Sequence, residues 1–231
     1  MSLYVAAENG RLFRLSIGRA TTAQQIFRDS KYETLMGLDK CASTIYLGAK
    51  SRVFRLQRGK PIRILDFKRN IGIHQLFIVK DSVYITITPY NQIVEADLDL
   101  NIKNKYTITP PVPTEDIKYK INYNHINNIF YDGSNFFVNL GWLSTTQYGQ
   151  SGVVKLDNNM NELSRHNYGW ESHGFSIINS KWYTLCSSSG YIKYVNHKHK
   201  AGLYVDYKLV FEYNPDEYFC KDFSMNDEKI F

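Results

Sequence analysis

The chain has 231 residues, of which 15% are aromatic, and carries 28 Lys plus Arg against 22 Asp plus Glu. A length of this order allows one domain or two, and no apolar run approaches the ~18 residues of a membrane-spanning helix. Three cysteines (Cys41, Cys186, Cys220) have no metal-site spacing, and an odd count argues against a disulfide framework.

The chain opens on an apolar run, Leu3-Tyr4-Val5, that leads through Glu8-Asn9-Gly10 into Leu12-Phe13-Arg14-Leu15. This unit recurs. Ile45-Tyr46-Leu47 leads into Val53-Phe54-Arg55-Leu56, and Val83-Tyr84-Ile85 into Ile93-Val94-Glu95-Ala96. Phe136-Phe137-Val138 leads, after a longer loop, through Ser151-Gly152 into Val153-Val154-Lys155-Leu156. Trp182-Tyr183-Thr184 leads through Ser188-Ser189-Gly190 into Tyr191-Ile192-Lys193-Tyr194. Strand-like pieces repeating at roughly 40 to 50 residues are the signature of a β-propeller.

Each pair has flanking strands. Leu38 to Ala42, Leu76-Phe77-Ile78-Val79, Ile129-Phe130-Tyr131 and Phe175-Ser176-Ile177-Ile178 precede their pairs, mostly through turns rich in Asp, Asn, Gly and Ser. Those residues tolerate the left-handed backbone of a tight hairpin. After the pairs come Gln25-Ile26-Phe27, Ile62-Arg63-Ile64-Leu65, Tyr106-Thr107-Ile108, Leu163-Ser164-Arg165 and Leu209-Val210-Phe211. The expected fold is all-β: a five-bladed β-propeller of four-stranded antiparallel blades in a single domain over residues 1–231, with six blades as the alternative. The chain ends on Phe223-Ser224-Met225 and Ile230-Phe231, the first strand and the start of the second of a further repeat. These would complete the N-terminal blade and close the ring, which hides both open edges.

Two stretches depart from the repeat. Residues 107–124 carry Pro110, Pro111 and Pro113, and residues 140–150 carry Trp142 and Tyr148. Long loops in compact domains are often functional, and a Trp with a Tyr can form a platform for a sugar or a base. The clearest chemical signal lies in the innermost strands. His74 stands ten residues before Tyr84 and His173 ten before Tyr183, while His125 opens the matching strand between them, to within one or two residues, in Asn124-His125-Ile126-Asn127-Asn128. In the remaining blades the matching positions are Met36 and Lys221, with Asp222 next to it. Imidazoles brought to one axis can hold a divalent metal, bind an anion or sugar hydroxyl, or act as a base near neutral pH. The bland alternative is that each merely hydrogen-bonds a neighbouring blade.

His125, Asn127, Asp132, Gly133, Ser151, Gly152, His173, Gly174, Ser189 and Gly190 form a pattern that resembles arylsulfotransferase-like, gluconolactonase-like and other bacterial propellers. The resemblance covers about two blades and implies that axial histidines can bind a ligand or metal. The acidic metal shell of the gluconolactonase type has no counterpart in this sequence.

The basic residues Arg52, Arg55, Arg58, Lys60, Arg63, Lys68 and Arg69 crowd one blade. Alternate strand positions point to opposite faces, so they do not predict a nucleic-acid surface. The reading is a ligand-binding or interaction propeller that recognises a small polar or carbohydrate-like ligand through His74, His125, Asn127, His173, Lys221, Asp222, Trp142 and Tyr148. The alternative is a metal-dependent hydrolase or lyase that uses a divalent metal on His74, His125 and His173. No membrane partner is expected. With no basic and apolar leader before Leu3, the expected location is cytoplasmic.

Overall fold

The computed structural model describes residues 2–7, 9–16, 20–31, 33–108, 124–143, 150–186 and 200–213. Its strands run β1 (Ser2–Ala6), β2 (Arg11–Ser16), β3 (Thr22–Arg28), β4 (Leu35–Cys41), β5 (Thr44–Ala49), β6 (Arg52–Gln57) and β7 (Lys60–Asp66). They continue as β8 (Leu76–Val79), β9 (Ser82–Ile87), β10 (Gln92–Asp97), β11 (Ile102–Thr107), β12 (Ile126–Tyr131) and β13 (Phe136–Leu140). The last are β14 (Gly152–Leu156), β15 (Glu162–Asn167), β16 (Ser172–Ile178), β17 (Lys181–Cys186), β18 (Gly202–Val205) and β19 (Lys208–Glu212).

Five antiparallel sheets follow one another along the chain: β1–β3, β4–β7, β8–β11, β12–β15 and β16–β19. They are the blades of a five-bladed β-propeller fold. The proposed closing strand of the first blade, in residues 223–231, lies outside the described residues. The chain divides into two compact units, Met1–Thr88 with Gln92–Tyr106, and Pro89–Asn91 with Thr107–Phe231.

One hydrogen bond recurs in every sheet and shows that the repeat is structural. The residue before the penultimate strand accepts from the residue just after the outermost one. Gly10 O accepts from Asp29 N at 2.7 Å, Ser51 O from Phe67 N at 3.0 Å, and Asn91 O from Ile108 N at 3.0 Å. Ser151 O accepts from Tyr168 N at 3.0 Å, and Ala201 O from Tyr213 N at 3.2 Å. All five acceptor residues are buried, so each bond satisfies a backbone group that water cannot reach.

The last of these bonds corrects the strand assignment in the fifth blade. The sequence pattern favours Tyr191-Ile192-Lys193-Tyr194 as the partner of β17; these lie outside the described residues, and the structure pairs β17 with Gly202–Val205. Ala201-Gly202-Leu203 repeats the small, glycine, apolar order of Ser151-Gly152-Val153. A Cβ on Gly152 would lie 2.6 Å from His166 O, and one on Gly202 2.1 Å from Phe211 O. Only glycine admits the outer strand so closely.

In the first unit, Leu12, Phe27, Leu35, Leu47, Phe54 and Leu56 form one buried cluster. In the second, Phe137, Val153, Tyr168 and Phe175 form another, while Leu185, Ala201, Leu203 and Tyr213 pack a third. The third blade also buries a carboxylate. Glu95 accepts from Ser82 Oγ, Asn104 Nδ2 and Tyr106 Oη, each at 2.8 Å. Burial opposes its charge, but these bonds outweigh that and hold the carboxyl below its ordinary range.

The Tyr106 phenol is pushed up to about 12, by burial first and then by its bond to Glu95. Because the folded value lies above the ordinary ~10, this contact contributes fully below pH ~10 and is lost as pH rises towards 12. Tyr106→Phe is therefore expected to flatten the alkaline limb of a stability-against-pH curve measured by urea unfolding. An unchanged limb would contradict the assignment.

Candidate functional site

The strands that begin the blades carry a shared irregularity. In β4 the ladder passes from Leu35↔Ala49 to Gly37↔Gly48 and skips Met36. In β12 it passes from Ile126↔Leu140 to Asn128↔Asn139 and skips Asn127. In β16 it passes from Ser172↔Cys186 to Gly174↔Leu185 and skips His173. Such a bulge leaves one residue without a ladder partner and re-aims its side chain.

His74 occupies the same position ahead of β8: Gln75 O accepts from Thr86 N at 3.0 Å and Gly72 O from Thr88 N at 3.4 Å. Its own N–H, and that of Gln75, donate to Thr86 Oγ1. The residue two places earlier is left-handed in three blades, at Gly72 (φ 58), His125 (φ 52) and Glu171 (φ 43). The equivalent set is thus Met36, His74, Asn127 and His173. Counting along the sequence from Phe136 brings His125 to within one or two residues of it; the structure places Asn127 there, because Phe137, opposite Phe130, and not Phe136 is the equivalent of Tyr84 opposite Phe77. His125 instead holds the left-handed corner, which histidine enters more readily than most residues.

Within the second unit the two histidines nevertheless meet. The imidazoles of His125 and His173 lie 6.2 Å apart, edge to face at 85°. Behind His125 the Trp142 indole packs at 5.2 Å. Trp142 is only 5% exposed, so it backs the histidine and offers little face as a sugar platform. Both histidines are half-buried.

The corner is held by a buried polar chain. Gly141 N donates to His125 O at 2.9 Å and Trp142 N to Asn124 O at 3.1 Å. Asn124 Nδ2 returns a bond to Trp142 O at 2.8 Å. Ser151 Oγ donates to Gly141 O at 2.6 Å and accepts from Ser172 N at 2.9 Å. Asn127 Nδ2 donates to Ser172 O at 2.7 Å and Asn139 Nδ2 to Ser172 Oγ at 2.7 Å. Ser172 Oγ also bonds Thr184 Oγ1, which donates to Gly174 O at 2.8 Å. The His125 corner of β12 and the His173 bulge of β16 are therefore braced against each other. Buried Oδ1 atoms on Asn127, Asn128 and Asn139 have no hydrogen-bond partner among the described residues.

A Cβ on Gly141 would meet His125 Cβ at 3.2 Å and Asn127 Nδ2 at 3.3 Å. Glycine is what allows that approach. Sequence reasoning singled out neither Gly141 nor Ser172; Ser172 adjoins His173 in the chain, but Gly141 meets His125 only through the fold.

His74 belongs to the first unit. Tyr148, Lys221 and Asp222 lie outside the described residues, as do most of the loops 107–124 and 140–150. Among the described residues no group of three or more His, Cys, Asp or Glu is disposed to hold a metal ion. Burial pushes the Cys186 thiol up to about 12, so it is no nucleophile at neutral pH. The basic blade also resolves: Arg52 is buried on Asp29, Arg55 pairs with Asp99, and Arg63 bonds Asn101. No helix among the described residues is long and apolar enough to cross a membrane.

No protein-family profile matches the chain, and no curated protein sequence does either. Solved structures do. The chain is similar to BamB from Moraxella catarrhalis, with 13% identity and a TM-score of 0.55, over 80% of this chain and 51% of that one. It is similar to the Neurospora crassa Pan2 WD40 domain, with 14% identity and a TM-score of 0.60, over 88% and 57%. A structure of a nidogen/laminin complex matches with 12% identity and a TM-score of 0.63, over all of this chain and 84% of the matched one. The chain spans little more than half the length of the first two. At such identities the likeness defines the class, a β-propeller, and goes no further.

Proposed function

We propose that this propeller is a binding protein and that the His125–His173 pair takes a small polar or carbohydrate-like ligand. The observation that carries the reading is the pair itself: two half-buried imidazoles 6.2 Å apart, one in a left-handed corner, braced by a buried hydrogen-bond chain. Non-glycine residues held left-handed cost energy and cluster at ligand sites. Imidazole edges supply both a donor and an acceptor, which suits hydroxyl groups.

Asn127, at the bulge equivalent to His173, belongs to the same framework. Lys221, Asp222 and Tyr148 remain candidate contributors, and His74 holds the equivalent position in its own blade of the first unit. No observation favours the metal-dependent hydrolase or lyase over binding. A protein surface is the competing occupant, since one similar chain was solved in a nidogen/laminin complex.

The test is a saturation-transfer NMR screen of monosaccharides, polyols and small carboxylates on wild type, His125→Ala and His173→Ala. The expected result is a hit whose affinity falls by about tenfold or more, ~1.4 kcal/mol, in both variants, with the thermal midpoint little changed. Hits that survive both replacements, or none at all, would overturn the reading. A large fall in midpoint would instead assign the histidines a structural role.

A further inference from the structure

A second candidate lies in the first unit, in a cavity that no histidine lines. A cavity of about 300 Å³ is bounded by Lys31, Lys50, Lys68 and Arg69, with Glu33 and Asp66 as its carboxylates. That volume is at the lower end for small-molecule sites. Cations outnumber carboxylates two to one.

Both carboxylates are engaged. Glu33 accepts from Ser51 N at 3.0 Å and from Ser51 Oγ at 2.7 Å. Asp66 accepts from Lys68 N at 2.7 Å and stands 3.6 Å from Lys68 Nζ and 3.9 Å from Lys31 Nζ. The bond from Lys68 N is the main reason its carboxyl stays below the ordinary range.

Three separate turns bring the cations together, and each is fixed from below. The Lys50–Ser51 turn is tied to the 67–71 loop by Phe67 N→Ser51 O and Ile71 N→Lys50 O, both at 3.0 Å. Within that loop, Asp66 holds Lys68 N and Asn70 Oδ1 holds Gly72 N at 2.9 Å. The Lys31–Glu33 turn hangs on the buried Asp29, which accepts from Lys31 N at 3.3 Å and Glu33 N at 3.0 Å. Arg52 neutralises Asp29 beneath. The backbone under the cations is thus set before any ligand arrives, which lowers the ordering cost of binding.

We propose that this cavity binds the phosphate group of a small molecule. The surplus of two positive charges matches a phosphate monoester dianion, and lysine and arginine are the usual partners of that group. An open depression whose cations come from three short turns offers a compact cluster of charge, which suits one small ligand better than a polymer backbone that needs an extended basic track.

The test is thermal unfolding of the full chain in sodium pyrophosphate and in glycerol 3-phosphate, against sodium chloride at matched ionic strength. Wild type should show a saturable rise in midpoint with the phosphates only. A Lys50→Gln, Lys68→Asn variant should need about tenfold more ligand or more, each lost contact being charge-assisted. Asn at 68 tolerates the left-handed φ of 64° found there. His173→Ala should behave as wild type, so this proposal and the histidine site can fail independently.

An equal rise in chloride, or one retained in the double variant, would overturn the proposal. Vesicles containing phosphatidic acid and a short single-stranded DNA complete the experiment. Binding to either without binding to the small phosphates would also overturn it.

Discussion

Arg52→Ala is expected to destabilise the protein by about 3–5 kcal/mol, the cost of stripping one partner from a buried ion pair. The Arg52 and Asp29 side chains are 6% and 1% exposed. Arg52 Nη2 donates to both Asp29 oxygens, at 2.8 and 2.7 Å, and lies 3.7 Å from Glu33. Without the guanidinium, two carboxylates face each other's field with only backbone and Ser51 donors to answer them. A fall in the urea midpoint at unchanged slope would report the loss. A loss under ~1 kcal/mol, the range of exposed pairs, would sink the argument.

Removing both partners is a different experiment. Arg52 Nε is buried with no hydrogen-bond partner among the described residues, so the pair is not fully satisfied. Asp29→Leu with Arg52→Met removes charge and countercharge together and should recover most of the single-variant loss, as apolar replacement of buried pairs often does. Arg165→Ala is the surface control. Its partner Glu162 is 38% exposed, and water and salt screen the contact to well under ~1 kcal/mol.

The blades were legible because strands repeat every second residue and hairpin turns have a narrow chemistry. Tyr46, Val83 and Phe136 fall in buried strands β5, β9 and β13, as the alignment of apolar runs required. What the pattern could not weigh was backbone approach. Tyr191-Ile192 has the stronger strand composition, yet Gly202 is where the outer strand can come close.

The site was half legible for a similar reason. Counting back from Tyr84 and Tyr183 puts His74 and His173 at equivalent positions, whereas counting from Phe136 leaves His125 two residues short, because Phe137 is the residue that faces Phe130 as Tyr84 faces Phe77. The Arg52–Asp29 pair was invisible too: its members are 23 residues apart, and only the fold makes them neighbours. Arg52 read as one more surface cation among seven.

Phe175→Ala should be as costly as the loss of Arg52, at about 3–5 kcal/mol for a buried Phe. Phe175 is 3% exposed and sits among four rings. Its centroid is 5.3 Å from Trp182, 6.0 Å from Phe137, 6.1 Å from Tyr168 and 6.3 Å from Phe130. Those rings come from β12, β13, β17 and the residue after β15, so neighbouring surroundings cannot collapse into the void without breaking ladders. Phe175→Leu keeps most of the volume and should cost much less, whereas the exposed Phe211→Ala should cost almost nothing. The effect should reach the proposed binding site. His173 precedes Phe175 by two residues on β16, so the cluster sets the strand that presents it. If the His125–His173 pair binds the ligand, Phe175→Ala should weaken binding at temperatures where the variant is still folded, and Phe211→Ala should not. Equal affinity in folded Phe175→Ala would mean that the polar chain through Ser172 and Ser151 positions His173 without help from the aromatic core.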